Sequence, residues 1–190
     1  MGFGKSFLLS LVAFVGLNFI FTILYFLIDV GQPDAGFDVL MEEIQDAPLM
    51  IIYYLFGSVT SVPSNNLDWA IFQPLFNEES IYLIFSLGYL VAPIIAAILA
   101  GKFAESKFQG FAGWMLTVVV STVVVVIGVF LSPRLESQFS DPSLNIFYEF
   151  FIWPSPITVE SILIYLVISC IVNIVFYSFF ALLVSKTEYY

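Results

Sequence analysis

Two asparagines stand deep inside long apolar stretches, where an amide finds few partners. Asn18 lies 11 residues after position 7, where the first stretch begins, and Asn173 lies 11 residues before position 184, where the last one ends. At about 1.5 Å per helical residue, both amides come to lie about 16 Å from one face of a membrane. Ser121 and Thr122 of the third stretch lie near the same depth. Because an unpaired amide in hydrocarbon is costly, we expect hydrogen bonds among these helices.

These four polar residues admit two interpretations. A polar level near the middle of the membrane, shared by several helices, is typical of a substrate or ion site in a transporter. Side chains of the same kind also hold helices in register without binding anything. The sequence alone favours the second, structural role, and the first stays open as a binding site.

A ladder of small residues runs along the second apolar stretch. Gly88, Ala92, Ala96 and Ala100 recur at spacings of four, so they share one face of a helix. Small residues at this spacing allow another helix to approach closely, and van der Waals contact then stabilises the pair inside a membrane. The ladder predicts a helix-packing surface, with a partner either in this chain or in another subunit.

Catalytic and metal-binding groups are scarce. The chain has no His and a single Cys, Cys170, which lies in an apolar stretch. No ionisable residue lies near the middle of any apolar stretch, although such residues usually mark proton relays and ion paths. The acids that precede Pro48 do not follow the spacing of a calcium-binding loop. We therefore expect no enzymatic activity, no cofactor and no metal site.

Composition places the chain in a membrane. Of its 190 residues 61% are hydrophobic and only 11% are charged, and the mean hydropathy is +1.02. A soluble domain carries about 25% charged residues, and a span needs about 20 apolar residues to cross about 30 Å of hydrocarbon. The sequence predicts one all-α integral membrane domain over 1–190, a four-transmembrane-helix bundle. Its spans are predicted at 7–28, 81–101, 111–131 and 157–184.

Charge orients the four spans. Lys5, Lys102, Lys107 and Lys186 fall on one side, and Arg134 is the only basic residue on the other. The positive-inside rule makes the lysine side cytoplasmic, which predicts a multi-pass protein of the cell membrane with both termini in the cytoplasm and a cytoplasmic loop over 102–110. Thirteen of the 15 acids fall on the opposite side. The net charge of −10 argues against nucleic acid as a partner.

The two extracytoplasmic loops, 29–80 and 132–156, are predicted to contain short interfacial helices. In the first loop, apolar residues recur at helical spacing and predict an amphipathic helix on the membrane surface: Phe37, Leu40, Met41 and Ile44. The apolar run 49–56 is too short to span and predicts a shallow re-entrant or interfacial segment. Asn65 and Asn66 are expected to follow along the interface. In the second loop, Asp141 and Pro142 predict another helix start.

Two functions remain open, and no motif in the sequence is specific enough to name a family. The ladder, the scarcity of catalytic groups and the small soluble portions favour a non-catalytic accessory or assembly subunit that packs against other membrane proteins or against itself. The alternative is a small homo-oligomeric transporter or channel with an acidic outer vestibule. A weak likeness between 48–56 and 142–150 also leaves open an internal duplication, in which two like-oriented hairpins share an axis along the membrane normal.

Overall fold

The computed structural model describes residues 2–28, 33–77, 83–132 and 159–185. These residues form helices, and no strand occurs among them. In chain order the helices are α1 (Gly2–Ile28), α2 (Pro33–Asp46), α3 (Met50–Phe56), α4 (Pro63–Leu67), α5 (Leu83–Lys102), α6 (Lys107–Leu131) and α7 (Val159–Val184). A 3₁₀ turn, Gly57–Thr60, joins α3 to the segment that leads into α4, and a π-helical segment, Asp68–Asn77, follows α4.

Four of these helices are long and apolar enough to cross a membrane, which confirms the predicted fold class. α1, α5, α6 and α7 have 27, 20, 25 and 26 residues and a mean hydropathy between 2.4 and 2.6. α1 and α6 begin several residues earlier than predicted. At α6 the cause is local, because the Ser106 hydroxyl accepts a hydrogen bond from the Gln109 amide and caps the helix before its apolar part begins.

The helices alternate in direction around a central pair. α1 and α7 each pack against both α5 and α6. The Ser6 hydroxyl donates to the Ala100 carbonyl, which brings the start of α1 beside the end of α5. We call this end of the bundle, which carries Lys5, Lys102 and Lys107, the lysine end, and the opposite end the acidic end.

Glycines bring the backbones close together at the lysine end. A Cβ atom added to Gly101 would lie 2.0 Å from the Ala181 carbonyl oxygen of α7. One added to Gly113 would lie 2.3 Å from the Ser6 hydroxyl oxygen of α1. Real Cβ atoms essentially never approach so closely, so these helices can lie in contact only because the side chains are missing there.

The acidic end is filled differently, since short helices fold back into it. α2 packs against α1, where Gly36 contacts the backbone of Phe26. Of the predicted apolar face of α2, Leu40 is buried and Ile44 packs against the core, whereas Phe37 and Met41 remain 48% and 38% exposed. The helix is therefore amphipathic as predicted, with only half of its apolar face in contact with the bundle.

The predicted interfacial helix of the second loop, its start at Asp141 and Pro142, Arg134, and the second copy of the possible duplication lie outside the described residues.

Candidate functional site

A re-entrant segment, residues 50–77, enters the bundle from the acidic end and returns. Its tip, which we define as residues 57–66, joins α3 to α4 and contains little apolar sequence. Residues 57–63 are all buried, and Asn65 and Asn66 are 1% and 2% exposed. The 3₁₀ turn of the tip contacts α5, α6 and α7. The tip thus lies inside the bundle, and not along the interface as the sequence had suggested for Asn65 and Asn66.

Contacts with Asn173 fix the depth of this tip. Asn173 lies 14 residues after Val159 and 11 before Val184, so it is about 21 Å from one end of α7 and about 16 Å from the other. Its side-chain amide donates to the Ser61 carbonyl oxygen at 2.8 Å. The segment therefore reaches the middle of the bundle, deeper than the shallow entry expected from the run 49–56.

Asn173 and Ser169, one turn apart on α7, bind the tip together. The Ser169 hydroxyl donates to the Val59 carbonyl oxygen at 2.7 Å. The Asn173 amide also lies 2.9 Å from the Ser169 carbonyl oxygen and 3.5 Å from that of Val59. Irregular backbone is tolerated at membrane depth only where protein or water satisfies its polar groups. α7 supplies those partners for the carbonyls of the tip.

The tip also satisfies part of its own backbone. The Thr60 hydroxyl donates to the Gly57 carbonyl oxygen at 2.7 Å, and the Val62 carbonyl oxygen accepts from the backbone amides of Asn65 and Asn66. Pro63 opens α4, where a missing N–H costs nothing. Gly57 leaves room for Tyr89, since an added Cβ would lie 2.1 Å from the Tyr89 hydroxyl oxygen.

Several buried side-chain atoms of the tip and of the long helices have no hydrogen-bond partner among the described residues. In the tip and on α7 they are Ser58 Oγ, Asn65 Oδ1 and Nδ2, Asn66 Nδ2 and Asn173 Oδ1, and on α1 and α6 they are Asn18 Oδ1, Ser121 Oγ and Thr122 Oγ1. Each unsatisfied buried polar group costs about 1–3 kcal/mol. Native interiors leave few such groups unpaired, so these atoms keep capacity for further hydrogen bonds.

The four polar residues predicted from the sequence are all buried, but they do not bond to one another. The Asn18 amide donates to the Phe14 carbonyl oxygen of its own helix at 2.8 Å. The hydrogen bond that joins α6 to α7 comes from Trp114, whose indole N–H donates to the Asn173 carbonyl oxygen at 3.3 Å. Ser121 and Thr122 lie on the buried face of α6.

The small-residue ladder of α5 is covered within the chain. Gly88, Ala92, Ala96 and Ala100 are all buried. A Cβ on Gly88 would lie 2.4 Å from the Cβ of Phe21, and the Ala100 carbonyl accepts from Ser6, so α1 lies against both ends of the ladder. The four positions are therefore filled by this chain's own helix.

Aromatic side chains of α3 and α5 pack together next to the tip. The rings of Phe85 and Tyr89 lie 4.4 Å apart, and Tyr53 stacks on Phe85 at 6.2 Å. The Tyr54 hydroxyl donates to Glu43 of α2, and its carbonyl accepts from Thr22 of α1. These contacts attach α2 and α3 to the bundle above the tip.

A cavity of about 260 Å³ opens between α2 and α3 at the acidic end. Its lining includes the carboxylates of Glu42, Glu43 and Asp46. Among the described residues, no three acidic or cysteine side chains are grouped in a way that could hold a metal ion. The cavity is thus an acidic recess near the entry of the re-entrant segment.

Sequence reasoning missed the tip, although two signals could have revealed it. The stretch 57–66 is a polar, proline-containing run between two apolar pieces that are each too short to span. On α1 the buried residues recur at intervals of four along the whole helix: Gly2, Ser6, Ser10, Phe14, Asn18, Thr22 and Phe26. Four of these seven are polar, which indicates an interior that is not purely apolar.

No known protein family model matches the chain, and no curated protein and no solved structure is similar to it.

Proposed function

We propose that this chain is a non-catalytic, multi-pass protein of the cell membrane that lets a small polar solute cross the bilayer, as a small transporter or channel. The observation that carries the proposal is the group of unpartnered buried amides and hydroxyls around a re-entrant tip at mid-bundle depth. Re-entrant segments and interrupted helices at this depth are where channels and transporters bind what they move.

The distribution of charge supports an orientation for this activity. Lys5, Lys102 and Lys107 share one end of the bundle, which the positive-inside rule assigns to the cytoplasm together with both termini. The re-entrant segment then opens to the outside, where the recess lined by Glu42, Glu43 and Asp46 forms an acidic vestibule.

The accessory role is less well supported than the sequence suggested. One of its three grounds was the ladder of α5, whose partner could lie in this chain or in another subunit, and α1 of the same chain lies against that ladder. The faces that the four long helices leave exposed are apolar and match lipid tails as well as they match a partner.

Reconstitution into liposomes tests the proposal. We expect protein-containing vesicles to equilibrate at least one of water, urea, glycerol, K⁺ or Na⁺ about tenfold faster than protein-free vesicles, measured by stopped-flow light scattering and ion-sensitive dyes. The double variant Asn18→Leu, Asn173→Leu should lose this flux while it still purifies as a folded helical protein.

Two results would contradict transport. One is permeability equal to that of protein-free vesicles for every solute. The other is a variant that keeps its flux and loses only thermal stability, because the amides would then act in packing alone. Purification in mild detergent as a stoichiometric complex with a larger membrane protein, without flux, would establish the accessory role instead.

A further inference from the structure

The unpartnered atoms of the tip include both donors and acceptors. Asn66 Nδ2 is a donor, Asn173 Oδ1 is an acceptor, and Asn65 offers one of each. The Ser58 hydroxyl can act as either. Each of these four residues is at most 2% exposed. A ligand that satisfies them must therefore both donate and accept hydrogen bonds.

Four carbonyl oxygens of the tip already accept hydrogen bonds, which weakens them as ligands for a cation. Those of Gly57, Val59, Ser61 and Val62 accept hydrogen bonds from side chains or amides of the protein. Potassium filters depend on rings of carbonyls that face the ion. The tip has the irregular backbone of such a filter, but at these four positions its carbonyls bind the protein.

Charged side chains are missing from the described interior. The buried polar residues there are Ser, Thr and Asn, together with Tyr hydroxyls. Taking an ion out of water into such a site carries a large desolvation cost that neutral amides and hydroxyls offset poorly. The carboxylates of α2 do not lower this cost at the tip, because Glu42 and Asp46 lie at the acidic end.

We infer that the tip binds a small neutral solute that donates and accepts hydrogen bonds, of the class of water, urea or glycerol, through Ser58, Asn65, Asn66 and Asn173. This inference rests on the proposed transport function and specifies its substrate class. Asn65 is the most informative of the four residues, because neither atom of its amide has a partner among the described residues.

Asn65→Leu separates a binding role from a packing role. Leu keeps the branch of Asn at Cγ and its number of heavy atoms, although it is the larger residue, and it removes two unsatisfied polar atoms from the interior, so the variant should melt about 2–4 °C higher than the parent. Its flux of neutral solutes should fall at least tenfold relative to the parent. Ser58→Ala removes a single oxygen and should also lower the flux of neutral solutes. It replaces Asn65→Leu in the test if that variant does not fold.

Thr117→Val is the matched control. The Thr117 hydroxyl is buried but already donates to the Gly113 carbonyl oxygen of its own helix, unlike the unpartnered atoms of the tip, so the replacement should leave flux unchanged. The assay uses full-length protein in liposomes with water, urea, glycerol, K⁺ and Na⁺ as probes.

The outcomes distinguish this inference from the proposed function. Flux of K⁺ or Na⁺ alone would overturn the neutral substrate and leave transport standing. Flux of neutral solutes that is unchanged in both Asn65→Leu and Ser58→Ala would also leave transport standing and overturn the assignment of the tip. The absence of any flux would overturn transport itself, and the inference with it.

Discussion

The two halves of the bundle fill their interiors in opposite ways. At the lysine end, helix backbones touch through glycines, as at Gly101 against Ala181, and hydroxyls donate to helix carbonyls, as Ser6 does to Ala100. Around the tip, the helices make room for irregular backbone, and several buried polar atoms have no partner in the described part of the chain. Ser10 is the exception in the first half, since its hydroxyl is unpartnered as well.

This difference separates structure from function in a membrane protein. Inside a bilayer, close packing and paired polar groups stabilise a bundle, and the lysine end has both. The tip is closely packed and pairs several of its carbonyls, but some of its buried side-chain atoms have no partner among the described residues. These atoms lower stability and leave hydrogen-bonding capacity for something else. Functional sites are usually found where a protein keeps features that lower its stability, such as buried polar atoms without partners.

Gly101→Val is expected to have the largest effect on stability. The added side chain would meet the Ala181 carbonyl, which is backbone and cannot rotate away. Overpacking of this kind costs about 1–3 kcal/mol and occasionally more, and we expect a loss at the upper end or a failure to fold. Thermal unfolding in detergent measures it.

Gly16→Val is its matched control on α1. A Cβ at Gly16 meets nothing within 4 Å, so the variant should stay within about 0.5 kcal/mol of the parent. Equal effects of the two substitutions would show that the close approach of α5 and α7 is not what stabilises the lysine end.

Asn173→Leu should have a smaller but clear effect. It removes the amide that donates to the Ser61 carbonyl and to Ser169, and it leaves the Ser61 carbonyl without that donor. Hydrogen bonds between membrane helices contribute about 0.6–2 kcal/mol, so we expect a loss of about 1–2 kcal/mol. Asn18→Leu should cost less, because the Asn18 amide bonds only within its own helix among the described residues. An equal loss in both would contradict the special role of Asn173.

The sequence predicted the bundle well because the signal for a span is nearly local. Length and hydropathy decide whether a stretch crosses hydrocarbon, and they placed α1, α5, α6 and α7 within a few residues of where the structure has them. The extra turn at the start of α6 depends on the cap at Ser106, which hydropathy does not report.

The tip could not be placed from the sequence because its position depends on distant partners. Asn65 and Asn66 resemble interfacial residues in composition, and only the contacts of Val59 and Ser61 with Ser169 and Asn173 draw them inside. The sequence predicts that Asn18 and Asn173 lie at similar depth in the membrane. It does not show that their hydrogen-bond partners differ, because that depends on how the helices pack, with α5 and α6 between α1 and α7.

The depth of the tip is the central claim, and a spin label on Ser64 measures it most directly. Ser64 is the exposed residue of the tip and follows Ser61 by three positions, so its Cα lies within about 10 Å of that of Ser61. Reference labels belong on Ile171 of α7, two residues from Asn173, and on Phe37 of α2, with Cys170 replaced by Ser in every case. Accessibility to oxygen and to a water-soluble nickel chelate then gives each label's depth in liposomes. We expect the Ser64 label to lie closer in depth to the Ile171 label than to the Phe37 label. A Ser64 label as shallow as the one on Phe37 would contradict the re-entrant structure and the proposed site.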